Sequence, residues 1–338
     1  MKVGILNVTG YAGAEIARIL HRHPDVEITS VTGRSSAGLK LGEVFPHLSA
    51  IDMTITEDVD ESIDFAFSAL PHATSAERLA PLIRRGVRVV DISADFRLKD
   101  LDEYQRWYDV DHPCPEFLED AVYGLTELHR DEIASAAVVA NPGCYPTAAV
   151  LALAPAVQAG LIEPDIIVDA KSGVSGSGRG MSLATHFSEV TENVMAYALD
   201  GHRHLPEIVQ ELERVNGEDS LKVTFVPHLV PMVRGILASC YAPLKDGASS
   251  AEVRKVYEEA YRDETFARVV DAPPMTKHTA GNNDCVIFPT VDERSGRLVV
   301  VSCLDNLVKG AAGQAVQNMN LMCGFPEDEG LQQLALYP

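Results

Sequence analysis

The chain has 338 residues, a length that allows two domains with separate hydrophobic cores. Hydrophobic residues make up 46% of the sequence and charged residues 23%, as is usual for a soluble globular protein. The formal net charge of −21 argues against nucleic acid and anionic membrane surfaces as partners. No apolar run approaches the ~20 residues of a membrane helix, and the N-terminus begins directly as a strand, so neither a membrane span nor a signal peptide is expected.

Six cysteines are scattered along the chain without a Cys-x-x-Cys pair or another metal-ligand spacing. Because no export signal is visible, this pattern predicts reduced cysteines and a cytoplasmic protein. No metal is expected.

The first predicted element is a short apolar strand, residues 2–8, followed by a glycine-containing turn and an amphipathic helix. Strand, glycine turn and helix is the arrangement of dinucleotide-binding folds, where the backbone approaches the pyrophosphate at a helix N-terminus. Asn7 precedes the turn, and Asn tolerates left-handed backbone angles better than most residues. The residues of the turn that are expected to contact a cofactor are Thr9, Gly10, Tyr11, Ala12 and Gly13.

The second predicted strand, residues 26–32, ends just before a polar loop. An NAD site would favour an acidic residue here, on the ribose 2′-hydroxyl. The loop instead contains Arg34, Ser35 and Ser36, which suit a 2′-phosphate and favour NADP. A solvated surface loop is the alternative.

A third predicted strand covers residues 64–70. Ligands bind at the carboxyl ends of parallel strands, so Ser68, Leu70 and Pro71 are expected to contact the cofactor. Residues 100–135 are more polar and less periodic, which predicts a connecting segment that closes over the site.

Cys144 is the candidate nucleophile. An apolar run at residues 136–140 predicts a buried strand, and residues 147–154 predict a helix. Cys144 falls on the turn between them, where backbone N–H groups and the helix dipole favour a thiolate and could bind an oxyanion. The alternative is a small buried cysteine.

Two histidines, His202 and His204, stand just before a predicted helix at residues 205–212. Thiol chemistry needs a proton acceptor and donor near neutral pH, and histidine is suited to both tasks. We favour His204, then His202, with His228 third. A metal site is the alternative, but no third ligand cluster is near. Candidates for binding a substrate carboxylate or orienting a histidine are Arg203, Glu207 and Arg234.

The rest of the chain predicts an α+β domain with a mostly antiparallel sheet. Residues 166–172, 221–227 and 235–242 are predicted strands, as are 284–291 and 297–304. The exposed face of this sheet is a candidate dimer surface. Between the first two strands, residues 183–197 form a polar, irregular stretch that is expected to cover the substrate.

A final predicted helix, residues 310–322, is expected to return to the cofactor domain. Asn306, just before it, could hydrogen-bond the nicotinamide amide or act as a plain N-cap.

Several motifs resemble those of the N-acetyl-gamma-glutamyl-phosphate reductase family, which is related to aspartate-semialdehyde dehydrogenase. The stretch NPGCYPT at residues 141–147 is similar to the active-site signature of that family. Further similar stretches follow the same order along essentially the whole chain: TGYAGAE at 9–15, SADFR at 93–97, SGVSGSGR at 172–179, HRHLPEI at 202–208, PHLVPM at 227–232 and DNLVKGA at 305–311.

The resemblance implies roles for several residues. Arg97 is similar to the phosphate-contacting arginine of the family, for which an ion pair with Asp95 is the alternative. The turn with Ser175 and Gly176 is expected to approach the nicotinamide and the bound phosphate. The remaining residues placed in the substrate site are Asn141 and Glu207.

The resemblance also implies the fold. We expect an NADP-binding Rossmann-type domain at residues 1–145, completed by a C-terminal helix at 306–338. Residues 146–305 would form the catalytic and dimerisation domain, as in relatives of glyceraldehyde-3-phosphate dehydrogenase. The protein is expected to be a homo-oligomer, either a dimer or a tetramer.

The reaction implied is the NADPH-dependent reduction of a small acyl phosphate, N-acetyl-L-glutamyl 5-phosphate, to the semialdehyde through a thioester on Cys144, in arginine biosynthesis. One alternative is the equivalent aminoadipyl-phosphate reductase of lysine biosynthesis. In one version of that reaction the substrate is attached to an acidic carrier protein, which a chain with a net charge of −21 would repel. Aspartate-semialdehyde dehydrogenase fits the cysteine and histidine motifs poorly. A non-catalytic dinucleotide-binding sensor is the alternative from another class.

Overall fold

The protein is described by a computed structural model that covers residues 1–217, 221–245 and 247–338. It divides into two compact units. The first consists of Met1–Pro142 and Ala311–Gln333, and the second of Gly143–Gly310 and Leu334–Pro338. The second unit is therefore inserted in the sequence of the first. None of the helices in the described ranges has the length and apolar character needed to cross a lipid bilayer.

The first unit contains a parallel sheet of six strands. In chain order these are β1 (Lys2–Leu6), β2 (Glu27–Val31), β3 (Phe65–Ser68), β4 (Arg88–Asp91), β5 (Val122–Tyr123) and β6 (Val138–Ala140). Their spatial order is β2-β1-β3-β4-β6-β5, and every neighbouring pair is parallel. β3 and β6 are buried along their whole length, as expected for central strands of such a sheet. The predicted Rossmann-type architecture is confirmed.

Six helices belong to this unit: α1 (Tyr11–Leu20), α2 (Leu41–Val44), α3 (Ser75–Arg84), α4 (Leu101–Tyr108), α5 (Thr126–Ser135) and α10 (Gly313–Cys323). The C-terminal helix α10 is almost entirely buried and packs against α1, α5 and β4.

The connecting segment at residues 100–135, which is less periodic in sequence, contains α4, β5 and α5. The side chain of Asp100 caps α4 by accepting the backbone N–H groups of Asp102 and Glu103, at 2.8 and 3.1 Å. Tyr104 and Tyr108 form the buried side of the helix. The stretch is polar overall because the other side of α4 is charged.

The second unit contains a seven-stranded sheet built from β7 (Asp165–Gly173), β8 (Met195–Ala196), β9 (Lys222–Val230), β10 (Ile236–Pro243), β11 (Ala267–Val269), β12 (Cys285–Asp292) and β13 (Arg297–Leu304). The order is β11-β12-β13-β10-β7-β9-β8. The pairs β11–β12 and β7–β9 are parallel, and the other four are antiparallel, so the sheet is mostly antiparallel as predicted. β9 and β10 follow one another in the chain but lie on opposite sides of β7.

Among its described residues, the second unit has four α-helices: α6 (Cys144–Gln158), α7 (Phe187–Val190), α8 (Leu205–Asn216) and α9 (Ser250–Ala260). α6, α8 and α9 pack against the sheet. Ile167, Tyr241 and Val299 are register partners across three neighbouring strands and remain partly exposed. This row of apolar side chains marks the open face of the sheet.

Candidate active site

Cys144 is the first residue of α6, and Gly143 is its N-cap. The helix forms here because residues 147–154 are good helix formers and Pro146 lies in the first turn, where a proline costs little. The helix behind the cysteine is almost completely buried, whereas Cys144 itself is half-buried. Its side chain is therefore held at the positive end of a rigid helix and still meets solvent.

The other cysteines differ from Cys144 in their surroundings. Cys114, Cys240, Cys285 and Cys303 are buried. Burial raises the pKa of Cys240 and of Cys303 to about 12, and it also raises the pKa of Cys114 and of Cys323. A thiolate is the reactive form of cysteine, so these four positions are poor nucleophiles.

Glu207 connects the cysteine turn with a histidine. Its carboxylate is completely buried and accepts the backbone N–H of Gly143 at 3.0 Å. The other carboxylate oxygen lies 3.9 Å from Nε2 of His204. When His204 takes up a proton, this carboxylate neutralises the charge that the ring gains. The arrangement matches the histidine-orienting alternative for Glu207.

His202 and His204 lie in one aromatic cluster, with their ring centroids 4.8 Å apart. The ring of Tyr145, the residue after the cysteine, is 5.7 Å from His202 and 5.9 Å from His204. The backbone N–H of His204 donates to Nδ1 of His202 at 3.1 Å. Burial, reinforced by the neighbouring His204, lowers the pKa of His202 to about 3. His202 is therefore neutral at physiological pH, which favours His204 as the proton shuttle.

Two tyrosine hydroxyls line the same cluster. Tyr197 donates to the hydroxyl of Tyr145 at 3.3 Å, and Tyr145 donates to the backbone oxygen of His228 at 3.1 Å. The ring of Tyr197 lies 5.5 Å from that of His202. The imidazole of His228 is instead paired with Asp169, its Nδ1 lying 3.1 Å from a carboxylate oxygen.

Because Gly310 has no side chain, it leaves room for the side chain of Cys144. A Cβ atom at position 310 would lie only 2.8 Å from the Cβ of Cys144. Gly310 belongs to a π-helical turn, Val308–Ala312, and its N–H donates to the backbone oxygen of Asp305. Such turns are frequent at functional sites. Gly310 lies within the DNLVKGA motif, but nothing in the sequence alone indicates its contact with Cys144.

Asn306 is not the helix cap that was its alternative role. Its side-chain oxygen accepts the N–H of Gly235 at 2.8 Å, and its amide nitrogen donates to Oγ of Ser175 at 2.9 Å. Asp305 does the capping, because its carboxylate accepts the N–H groups of Leu307 and Val308. Asn306 thereby fixes the glycine- and serine-rich turn, in which a Cβ on Gly176 would lie 3.0 Å from Oγ of Ser172.

Arg97 and Asn141 lie in the first unit and are both buried. Nε of Arg97 donates to the backbone oxygen of Asn141 at 2.8 Å, and one of its terminal nitrogens donates to the oxygen of Ile92 at 2.6 Å. The side chain of Asn141 donates to the oxygen of Ala311 and accepts from Asn318, at 3.0 and 3.2 Å. These bonds favour a positioning role for Asn141 over direct contact with a substrate.

The dinucleotide turn follows β1 in the predicted way. Gly10 is the N-cap of α1, and Asn7 has the left-handed φ of 63° that its residue type permits. A Cβ on Gly13 would lie 2.4 Å from the backbone oxygen of Asn7, so only glycine fits where α1 approaches the strand end. Thr9 donates to the side chain of Asn7 at 3.4 Å, and Tyr11 and Ala12 form the first turn of α1.

A cavity of about 740 Å³ lies beside this turn in the first unit. The predicted cofactor residues Arg34, Ser35, Leu70 and Pro71 line it, together with Asn7. Ser36 follows Ser35 in the same short turn. A cavity of this size suits part of a dinucleotide.

Three arginines line this cavity, and two of them have acidic partners. Arg78 pairs with Asp58 at 2.8 Å, and Arg85 lies 3.6 Å from Glu61. Within the described residues no acidic side chain pairs with Arg34, which is exposed. Arg34 is thus available to an anionic group of a ligand.

Ser68 lies inside the first unit and not on the cavity. Its hydroxyl is 2.6 Å from that of Ser75, which donates to Asp91 at 2.7 Å. Burial, with the nearby Asp95, raises the pKa of Asp91 to about 6. This buried acid was not singled out in the sequence, where it resembles any strand-end aspartate.

No group of three histidine, cysteine or acidic side chains among residues 1–217, 221–245 and 247–338 is arranged to hold a metal ion. The His-x-His pair is instead surrounded by aromatic rings, including that of Phe225 at 5.4 Å from His202.

Comparison with protein families gives two matches. Residues 2–136 match the semialdehyde dehydrogenase NAD binding domain, and residues 144–306 match the semialdehyde dehydrogenase dimerisation domain. The first match indicates a nicotinamide dinucleotide as the cofactor, and the second indicates an oligomer.

Solved structures with the same fold include aspartate semialdehyde dehydrogenase II from Vibrio cholerae complexed with ASA. It has a TM-score of 0.71 and 18% identity, and the match covers 96% of this chain and 98% of that one. Aspartate semialdehyde dehydrogenase with NADP from Candida albicans has a TM-score of 0.71 and 17% identity, covering 95% and 98%. At these identities the likeness concerns the fold.

Sequence relatives are much more similar. A protein of Dehalococcoides mccartyi is 58% identical over 337 residues, with 100% of this chain and 99% of the relative covered. A protein of Pelotomaculum thermopropionicum is 53% identical over 346 residues, with the same coverage. Both are named N-acetyl-gamma-glutamyl-phosphate reductase. The chain therefore belongs to the N-acetyl-gamma-glutamyl-phosphate reductase family of the semialdehyde dehydrogenases.

Proposed function

We propose that this chain catalyses the NADPH-dependent reduction of N-acetyl-L-glutamyl 5-phosphate to N-acetyl-L-glutamate 5-semialdehyde and phosphate, in the cytoplasm, as a step of arginine biosynthesis. Full-length relatives named for this activity support the proposal. The observation that carries it is the buried carboxylate of Glu207, which contacts both the residue before Cys144 and the ring of His204.

In this mechanism Sγ of Cys144 attacks the acyl carbon, the carbon–oxygen bond to phosphate breaks, and a thioester forms. Backbone N–H groups at the start of α6 stabilise the negative oxygen of each tetrahedral stage. The reduced nicotinamide, when bound, supplies a hydride to the thioester carbon. His204 gives a proton to the tetrahedral oxygen and takes it back as the carbon–sulfur bond breaks. One proton is taken up overall and ends on the released phosphate.

Other residues hold these groups in place. Glu207 orients His204 and the Gly143 amide, and His202 remains neutral beside them. Arg97 offers a guanidinium to the substrate phosphate, and Asn141 fixes the backbone ahead of the cysteine. Asn306 holds the turn containing Ser175 and Gly176, which would contact the nicotinamide when the cofactor is bound.

The domains follow from these roles. The first unit would bind NADP, and the second unit, which contains Cys144 and His204, would carry catalysis and form a dimer or a tetramer. The open face of the second sheet, with Ile167, Tyr241 and Val299, is the surface we assign to the dimer.

The function is tested in the reverse direction, with N-acetylglutamate semialdehyde, phosphate and NADP⁺. We expect NADPH formation that requires all three. The homologous aminoadipate semialdehyde, one methylene longer, is expected to react with a kcat/KM lower by about 10-fold or more. Equal or faster turnover of the longer aldehyde would instead favour the alternative, the equivalent aminoadipyl-phosphate reductase of lysine biosynthesis. Dinucleotide binding without turnover would support the other alternative, a non-catalytic dinucleotide-binding sensor.

The choice of NADP is tested at Arg34. Because a hydrogen bond to a charged group contributes about 1.5–3 kcal/mol, Arg34→Ala is expected to raise the KM for NADP⁺ about 10- to 100-fold and to leave the KM for NAD⁺ nearly unchanged. Arg85→Ala is the matched control, because Arg85 lines the same cavity beside Glu61. A wild-type enzyme that uses NAD⁺ as well as NADP⁺ would refute the role of Arg34.

A further inference from the structure

The second unit exposes an apolar segment between Met181 and Leu199. Met181 is 102% exposed, Leu183 is 76% exposed and Phe187 is 77% exposed. Val194, Met195 and Leu199 in the same segment are 63%, 37% and 66% exposed. These apolar side chains are exposed among the polar residues that were expected in this stretch. Large apolar side chains concentrated on one exposed surface mark an interaction site.

The segment is continuous with the edge of the sheet. β8 pairs with β9, and Met195 and Ala196 face Leu229 and His228 in the antiparallel register. A cavity of about 350 Å³ is lined by Leu183, Val190, Met195 and Leu229. The apolar surface thus includes a groove, and it begins where the seven-stranded sheet ends.

Three observations identify a second copy of this chain as the occupant. The segment lies entirely within the matched dimerisation domain, residues 144–306. It contains two acidic residues, Glu189 and Glu192, and no lysine or arginine, a composition typical of an interface core. A standard interface buries about 800 Å² on each partner, and six large exposed apolar side chains supply much of that area.

Charge supports the same conclusion. Two chains that each carry a net charge of −21 repel one another. Their contact therefore requires surfaces that are poor in charge and rich in apolar area, which this segment provides.

We propose that the segment Met181–Leu199 docks on a second copy of this chain and extends the dimer contact from the open sheet face to the β8 edge. The inference rests on the dimer assigned above. The segment also reaches the active site through Tyr197, whose ring packs on His202 and whose hydroxyl donates to Tyr145. Docking of a partner therefore holds one wall of the histidine cluster in place.

The test uses Phe187→Glu and Leu183→Glu in the full chain, with mass measured by light scattering across a dilution series. Both side chains are exposed, so the substitutions leave the core intact, which circular dichroism checks. We expect the dissociation constant of the oligomer to rise about 100-fold or more. The specific activity of these two variants is expected to fall on dilution, in parallel with dissociation of the oligomer. Leu101→Glu is the matched control, at an apolar position of the first unit that is 46% exposed.

A sheet-face variant, Ile167→Glu, separates this inference from the dimer on which it rests. Dissociation by Ile167→Glu with no effect of Phe187→Glu would leave the sheet-face dimer standing and overturn the docking role of the segment. An unchanged oligomer in all variants would overturn both. Weakened association in Phe187→Glu and Leu183→Glu, with Leu101→Glu unaffected, supports the proposal. Dissociation without loss of specific activity would overturn the link through Tyr197.

Discussion

Replacing Cys144 by alanine is expected to lower kcat by about 10⁴-fold or more, because no other group can form the acyl intermediate. Affinity for NADP⁺ should remain, since the dinucleotide turn and the cavity lie in the first unit. The measurements are steady-state turnover and a separate titration of the cofactor. Turnover that persists in Cys144→Ala would exclude a covalent mechanism.

Alkylation provides an independent measurement on the wild-type protein. Cys144 and Cys323 are the two half-buried cysteines, and burial raises the pKa of Cys323. Iodoacetamide is therefore expected to modify Cys144 first at neutral pH, with loss of activity in step. Cys323→Ala should be inactivated at the wild-type rate. Preferential labelling of Cys323 would contradict the thiolate assigned to Cys144.

Replacing His204 by asparagine is expected to reduce kcat by about 10²- to 10⁴-fold, the range of general acid–base catalysis. The limb of the pH–rate profile that belongs to this histidine should disappear. The matched variant His202→Asn should keep that limb, because burial lowers the pKa of His202 to about 3 and its ring does not titrate in the working range. If His202→Asn lost this limb of the pH–rate profile and His204→Asn kept it, His202 would be the proton shuttle instead of His204.

The depressed pKa of His202 has a second measurable effect, on stability. An unfolded chain protonates this histidine near the usual 6.5, whereas the folded protein protonates it only near 3. The unfolded state therefore binds more protons between these values, and the free energy of unfolding falls as the pH drops through this window. His202→Asn should lose that part of the acid sensitivity in urea titrations at pH 7 and pH 4.

The local patterns were predictable from the sequence where one segment contains the whole signal. The strand, turn and helix at residues 2–20 are such a case, since apolar periodicity, Gly10 and Gly13 are all local. The left-handed φ of Asn7 follows from its residue type. The turn at Cys144 is similar, with Gly143 before the helix and good helix formers after it.

Long-range hydrogen bonds could not be predicted in the same way. Glu207 meets the Gly143 amide across a long stretch of sequence, and nothing in the motif HRHLPEI indicates that partner. Asn306 fitted an N-cap by residue type, but the neighbouring Asp305 has the geometry to cap the turn. The exposed apolar side chains of residues 181–199 were hidden among serine, threonine and asparagine, because composition alone does not show which side chains face solvent.

The insertion of the second unit into the first has a consequence for the order of folding during synthesis. Asn318 of α10 donates to the oxygen of Gly124 and accepts from Thr126, so the C-terminal helix satisfies polar groups in the interior of the first unit. Gly124 and Thr126 are synthesised early in translation, whereas Asn318 is synthesised near its end. The core of the first unit therefore remains incomplete until the ribosome has released residues as far as Cys323, although its strands are synthesised first. The second unit, whose main segment ends at Gly310, can complete its own sheet before the unit that emerged first.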